Sequence, residues 1–167
     1  WDGDGDRIGV VDETGKRREA DAVTAVLARD VLARHPGARI FMDLKSSLTA
    51  IEDVRAHGGE PVLSRTGYSL FRRRMREESA IFGGEASGHI IFGEDYPYLD
   101  DGVYAACALA RLVAMSGLSL SQQFAGMRSL VTSAEITLPC DDTAKFEIAR
   151  AIAEHFRLTH EVLDIDG

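Results

Sequence analysis

Asp2-Gly3-Asp4-Gly5-Asp6-Arg7 sets three carboxylates at alternate positions, spaced by single glycines and followed by a guanidinium. Carboxylates held this close repel one another unless a cation lies between them, and an all-oxygen donor set suits hard divalent ions such as Mg²⁺ or Ca²⁺. The glycines permit backbone angles that turn all three side chains toward one point. Arg7 adds a planar donor fork suited to a phosphate or to an acidic neighbour. An EF-hand loop would also open on alternating aspartates, and Glu13 even falls at its twelfth position. Its sixth position needs glycine, however, and here it is Arg7, while Ile8–Val11 reads as a strand.

A second chemical segment is Gly83-Gly84-Glu85-Ala86-Ser87-Gly88-His89, a tight turn between two short apolar runs. It presents a carboxylate, a hydroxyl and an imidazole on one loop. Glu85 can accept from two neighbouring sugar hydroxyls, and Ser87 can donate or accept. His89 can bind phosphate when charged, shuttle a proton, or serve as a structural histidine.

The elements that must carry these loops alternate. Ile8–Val11 reads as a strand and Asp12–Gly15 as a turn; Asp21 is the expected N-cap of a helix to about Arg34, ended by Pro36-Gly37. Ile40–Leu44 and Pro61–Ser64 read as strands around a helix capped by Ser47 and stopped at Gly58-Gly59. A helix over 69–78, strands over 80–82 and 90–92, a long helix capped by Asp101 and a short one with Leu120, Phe124 and Met127 inward complete the run. Cys107 falls on the predicted apolar stripe of the long helix and reads as a small buried hydrophobe. Short connections and strand–helix alternation predict a three-layer α/β/α domain with a mixed, largely parallel sheet.

Past Val131 the pattern changes: a strand is expected over 135–138, then a helix over 142–156 burying Phe146, Ala149, Ile152, Ala153 and Phe156. A strand over 161–165 and a hairpin turn at Asp166-Gly167 follow. A ligand loop directly after Trp1 and a hairpin without its return strand read as a chain cut from a larger one. The expected division is 1–17 as the end of one domain, 18–130 as a whole domain and 131–167 as the start of a third.

Composition narrows the function classes. Of 167 residues, 45% are hydrophobic and 28% charged, as in globular proteins. No apolar run approaches the roughly 18 residues that span a bilayer, and no signal-peptide pattern is visible, so neither membrane nor secretion is indicated. The net charge of −8 argues against nucleic-acid binding, which rests on clustered cations. Arg65, Arg72, Arg73, Arg74 and Arg76 are a local exception, and the last four, on the predicted helix, read as a solvated face. Two distant cysteines without ligand spacing fit a reducing cytoplasm.

The two loops in this order, with Asp43-Leu44-Lys45, Gly58-Gly59-Glu60-Pro61-Val62, Arg65-Thr66-Gly67 and Asp100-Asp101-Gly102-Val103-Tyr104, resemble the α-D-phosphohexomutases, nearest to bacterial mannose- and glucose-acting members. The resemblance implies an intramolecular phosphotransferase of four domains around one cleft. It would move phosphate between the 1- and 6-positions of a hexose through a hexose 1,6-bisphosphate and an enzyme phosphoserine. It implies one Mg²⁺ on Asp2, Asp4 and Asp6, with Glu85, Ser87, His89, Lys45 and Tyr68 toward the phosphorylated hexose and Arg7, Lys45 and His89 in the chemistry. The partners implied are the sugar and domains 1, 2 and 4 of the same protein. Close relatives carry Thr-Gly-His where this chain reads Thr66-Gly67-Tyr68, and no Ser-His-Asn-Pro-like phosphoserine segment occurs here. The chain alone is therefore expected to be inactive. A glucosamine-phosphate mutase and a non-catalytic metal- or sugar-binding module are the alternatives.

Overall fold

The computed structural model describes residues 1–94, 96–131, 136–163 and 165. The chain divides into two compact units, Trp1–Ser129 and Leu130–Gly167. The first runs β1 (Val10–Val11), β2 (Arg17–Arg18), α1 (Ala20–Arg34), β3 (Arg39–Asp43), α2 (Leu48–Ala56), β4 (Glu60–Ser64), α3 (Tyr68–Glu77), β5 (Phe82–Gly84), β6 (Ile90–Phe92), α4 (Gly102–Ser116) and α5 (Leu120–Gln123). The second contains α6 (Lys145–Arg157).

β3 is apolar on both faces, and that fixes its place inside the sheet. Alternate side chains of a strand face opposite ways. Ile40 and Met42 accordingly join a core formed with α1, α2 and α4, while Phe41 packs on the other side with Phe71 and Met75 of α3. The sheet order is β4-β3-β5-β6. β3 pairs in parallel with β4 and β5, the helices α2 and α3 supplying the crossovers, and β6 returns antiparallel to β5. The expected three-layer α/β/α domain with a mixed sheet is what forms.

Local chemistry explains most boundaries. Ser47 caps α2, its hydroxyl accepting from Ala50 N, and Asp101 caps α4, accepting from Val103 N and Tyr104 N. Asp21, expected as a cap, lies instead inside the first turn of α1. It is buried, and its Oδ2 accepts from Ser47 N at 2.6 Å, so it joins the starts of α1 and α2. Cys107 is exposed rather than buried. α4 turns Gly102, Ala105 and Leu109 inward instead, because the face nearest the sheet is one position round from the most apolar stripe. The β1–β2 hairpin adds a strand that the polar Arg17-Arg18 pair did not signal.

In Leu130–Gly167 no residue of α6 is buried, and Phe146 is 69% exposed. An apolar stripe marks the face that would need cover, not that cover exists within the unit. Residues 136–138 and 161–163 are irregular rather than strands, with no partner strand among the described residues. Glu135 and the predicted turn at Asp166-Gly167 lie outside the described residues.

Close approach of α1 to β5 requires glycine at position 84. A Cβ there would lie 2.4 Å from Thr24 Oγ1 and 2.8 Å from its Cγ2, and Thr24 is itself fully buried. Gly84→Ala is expected to cost about 1–3 kcal/mol in urea unfolding, as overpacking does, with partial recovery in Gly84→Ala/Thr24→Ala. A wild-type value for the single variant would show that the layers are not this close.

Asp12 organises the β1–β2 turn. It accepts from the Thr14 hydroxyl at 2.6 Å, from Thr14 N and Lys16 N, and from Arg18 Nε at 2.7 Å. The Thr14 hydroxyl is the largest influence and, with Lys16 N and Arg18, outweighs burial to hold the carboxyl at about 2, against 3.8 ordinarily. A depressed folded pKa contributes stability above the unfolded value that disappears as pH falls through the folded one. Melting temperature should therefore fall as pH drops from about 4 toward 2. Asp12→Asn should be less stable at neutral pH and flatter across that window. An acid limb unchanged by the substitution would remove Asp12 as its source.

Candidate active site

The Gly84–Ile90 pair closes β5 onto β6, and the turn between them is pinned from inside. Glu85 N donates to His89 O and Gly88 N donates to Glu85 O, both at 2.9 Å. From below, Asp43 Oδ1 at the end of β3 accepts from Ala86 N at 3.1 Å and from the Ser46 hydroxyl at 2.8 Å. Asp43 is fully buried, and its Oδ2 has no hydrogen-bond partner. Glu85 is 1% exposed. Its Oε1 accepts from Gly67 N at 2.9 Å, and its Oε2 lies 3.1 Å from His89 Nδ1. Each oxygen retains a second lone pair for another donor. Ser87 is exposed on the same turn, and Lys45 is exposed between β3 and α2.

The aspartate loop lies against this turn. Arg7 and His89 form an isolated antiparallel bridge, and Gly102 N at the start of α4 donates to Gly5 O at 3.0 Å. A Cβ on Gly102 would meet Gly5 O at 2.7 Å and Arg7 O at 2.8 Å, so only glycine admits the loop here. Asp2, Asp4 and Asp6 each bring one carboxylate oxygen within 4.8 Å of the others. Arg7 places Nε 2.6 Å and Nη2 2.5 Å from Asp2 Oδ2, and Nε 3.4 Å from Asp6 Oδ1. Of the two partners its fork suits, phosphate or acidic neighbour, the guanidinium here takes the acidic one and braces the carboxylates.

The electrostatics differ along this loop. Burial pushes the Asp6 carboxyl up, and Asp4, Asp2 and Asp100 add to that against the opposing charge of His89. Burial also works upward on Asp2, but the hydrogen bonds and charge of Arg7 outweigh it and hold the group low. Asp6 Oδ1 is buried without a hydrogen bond. Octahedral Mg²⁺ at about 2.1 Å from each oxygen sets adjacent ligand oxygens roughly 3 Å apart and opposite ones roughly 4 Å apart. Three converging carboxylates, one with a buried oxygen that forms no hydrogen bond, suit such an ion.

His89 connects the two loops. Its Nε2 lies 3.5 Å from Asp6 Oδ2 and 3.9 Å from Asp100 Oδ2, opposite the Nδ1 contact to Glu85. Asp6, His89 and Asp100 form a second cluster of possible ligand atoms that shares Asp6 with the first. The Tyr68 ring meets His89 edge-on at 5.5 Å. Burial raises the Tyr68 hydroxyl above its ordinary value, and the adjacent Asp100 carboxylate raises it further. Tyr68 is therefore a neutral donor, not a base, near pH 7. Sequence reasoning assigned no role to Asp43, to Asp100 or to the Gly67 amide. Asp100 had one signal, its place directly before the cap of α4.

The three-layer α/β/α domain thus gathers the aspartate loop and the Glu85 turn at one edge of its sheet. Residues 19–130 match the model of phosphoglucomutase/phosphomannomutase, alpha/beta/alpha domain III, and the chain belongs to that family. It is 36% identical over 152 residues to the phosphomannomutase/phosphoglucomutase of Pseudomonas aeruginosa, covering 91% of this chain and 33% of that protein. A phosphoglucomutase/phosphomannomutase family protein from Burkholderia thailandensis superposes with a TM-score of 0.87 at 36% identity, over 100% of this chain and 35% of the other. The N-acetylphosphoglucosamine mutase of Aspergillus fumigatus, solved with GlcNAc-6P and magnesium, shares the fold at 17% identity and a TM-score of 0.56, over 74% of this chain and 31% of its own. The same Aspergillus protein has also been solved with glucose 1,6-bisphosphate. The chain thus spans about a third of the length of its curated relatives.

Mg²⁺ titrated calorimetrically into the chain should bind through the aspartate loop. Asp6→Asn should weaken it by roughly tenfold or more, as removing an element of a metal site does. Unchanged affinity would exclude Asp6 as a ligand.

Proposed function

We propose that the protein to which this chain belongs is a phosphohexomutase that interconverts hexose 1-phosphate and hexose 6-phosphate of the mannose and glucose type. The chain would supply its metal loop and sugar loop, with 1–17 ending one domain, 18–130 forming domain three and 131–167 opening domain four. The observation that carries this reading is the joining of the two loops through Arg7 and His89. A cation on Asp2, Asp4 and Asp6 would neutralise charge on the transferred phosphoryl group, which such reactions need more than covalent help.

This chain's residues then have distinct tasks. Glu85 accepts from sugar hydroxyls, and its ties to Gly67 and His89 fix its direction. Ser87 and Lys45, both exposed, contact the hydroxyls and the phosphate. His89 directs Nε2 toward Asp6 and Asp100 as a proton shuttle, and Tyr68 donates rather than accepts. Arg7 keeps the carboxylates from splaying. The remaining domains bring the phosphoserine donor and the second phosphate clamp, and a hexose 1,6-bisphosphate serves as intermediate and activator. No helix among the described residues is long and apolar enough to cross a membrane, and we place the enzyme in the cytoplasm.

The test is a mutase assay on the full-length protein with Mg²⁺ and a bisphosphate activator, offering mannose, glucose and glucosamine 1-phosphates in parallel. Mannose and glucose phosphates should convert, Glu85→Gln should lower kcat/KM by about 100-fold, and the 167-residue chain alone should show no turnover. Conversion of glucosamine phosphate alone would move the protein to that branch. No conversion with a phosphorylated donor serine would overturn the reading.

A further inference from the structure

One carboxylate oxygen at the end of β3 serves two loops at once. Asp43 Oδ1 accepts from Ala86 N at 3.1 Å and from the Ser46 hydroxyl at 2.8 Å. Ala86 belongs to the Glu85 turn, and Ser46 to the turn that carries Lys45. Asp43 is 0% exposed and Ser46 8%, so water competes little for either bond. Asp43 Oδ2 takes no hydrogen bond among the described residues. Among those residues, the shared oxygen therefore carries every hydrogen bond of this buried carboxylate.

These bonds fix a direction as well as a distance. The peptide unit between Glu85 and Ala86 is planar, and it is held at both ends. Its N–H donates to Asp43, and its C=O accepts from Gly88 N at 2.9 Å. Glu85 N donates to His89 O at 2.9 Å. With both flanking peptides held, the backbone cannot swing the Glu85 side chain out of line. On the other turn, Ser46 N donates to Asp43 O at 3.1 Å and its hydroxyl to Oδ1, which closes the segment that holds Lys45. One atom thus sets the separation of the two turns that carry exposed Lys45 and exposed Ser87. Separation matters at this scale, because misplacing groups around a reacting centre by about 1 Å can cost roughly 100-fold in rate.

We propose that Asp43 is a positioning residue for the hexose phosphate, holding the turn that reads sugar hydroxyls at a fixed distance from the turn that meets the phosphate. The proposal rests on the mutase reading, in which Glu85 and Ser87 face hydroxyls and Lys45 the phosphate. Asp43 is too deeply buried to touch the sugar itself. Its influence passes through Ala86 N and the Ser46 hydroxyl, and what it requires is an acceptor at Oδ1 rather than a charge.

Steady-state kinetics of the full-length protein with hexose 1-phosphates test this through three substitutions. Asp43→Ala should raise KM about tenfold, as loss of a net hydrogen bond from each turn would, with a smaller fall in kcat. Asp43→Asn keeps an acceptor at Oδ1 and should recover most of that loss. Ser46→Ala cuts one arm only and should fall between them. Mg²⁺ affinity should match wild type in all three, since Asp43 Oδ1 bonds to none of Asp2, Asp4 and Asp6. Equal damage from Asn and Ala would make charge the requirement and overturn the proposal. So would a Mg²⁺ affinity that falls in step with the rise in KM, which marks general loss of structure. Amide spectra of the 167-residue chain separate this from the mutase reading. Asp43→Ala should shift the Lys45 and Ser87 amide signals together, and Asp43→Asn should restore both. A shift on one turn alone would overturn the shared role of Oδ1, whatever the substrate. Coupled shifts in a protein that converts no hexose phosphate would support the link between the turns and count against the mutase reading.

Discussion

A buried carboxylate with two different partners holds the site together. Burying an ionised group is costly unless its oxygens are hydrogen-bonded, and Glu85 meets that demand by taking Gly67 N on one oxygen and facing His89 on the other. Those partners come from separate segments, the start of α3 and the start of β6. His89 in turn reaches the aspartate loop through Asp6 and through its bridge to Arg7. Satisfying one side chain therefore aligns three loops. Asp43 supports the arrangement from beneath, accepting from Ala86 N at the buried end of β3.

The sheet explains why these loops meet at all. β3, β4 and β5 run parallel, so their C-terminal ends share an edge, where open α/β sheets usually bind ligands. Asp43, Ser64 and Gly84 close those strands, and the site-bearing segments leave from them. The antiparallel β6 turns the chain back at once, so the glutamate and the histidine occupy both sides of one tight turn.

Much of this was legible in the sequence where a residue acts locally. Ser47 and Asp101 cap the helices they precede, the apolar run 40–44 became the central strand, and both loops were found from their spacing. Less was legible where the partner is distant in sequence. Asp21 resembles a cap but bonds Ser47 N, 26 positions away. Arg17-Arg18 pairs as a strand because of the turn that Asp12 organises, not because of its own side chains. The roles of Asp43 and Asp100 depend on which loops pack beside them. The apolar stripe of α6 was expected to be buried and is not, because a pattern says nothing of what lies opposite it.

The contact between Gly102 and the aspartate loop has a mechanical meaning. The loop rests on helix backbone through Gly102 N and Gly5 O, with no side chain between them to absorb movement. α4 packs through Ala105 and Leu109 into the same core as the sheet. Sliding or tilting of that helix would be passed to the three aspartates almost undamped, as by a rigid lever. The spacing of the carboxylates, and with it the fit of any cation they hold, would then depend on the seating of a helix that meets their loop through backbone.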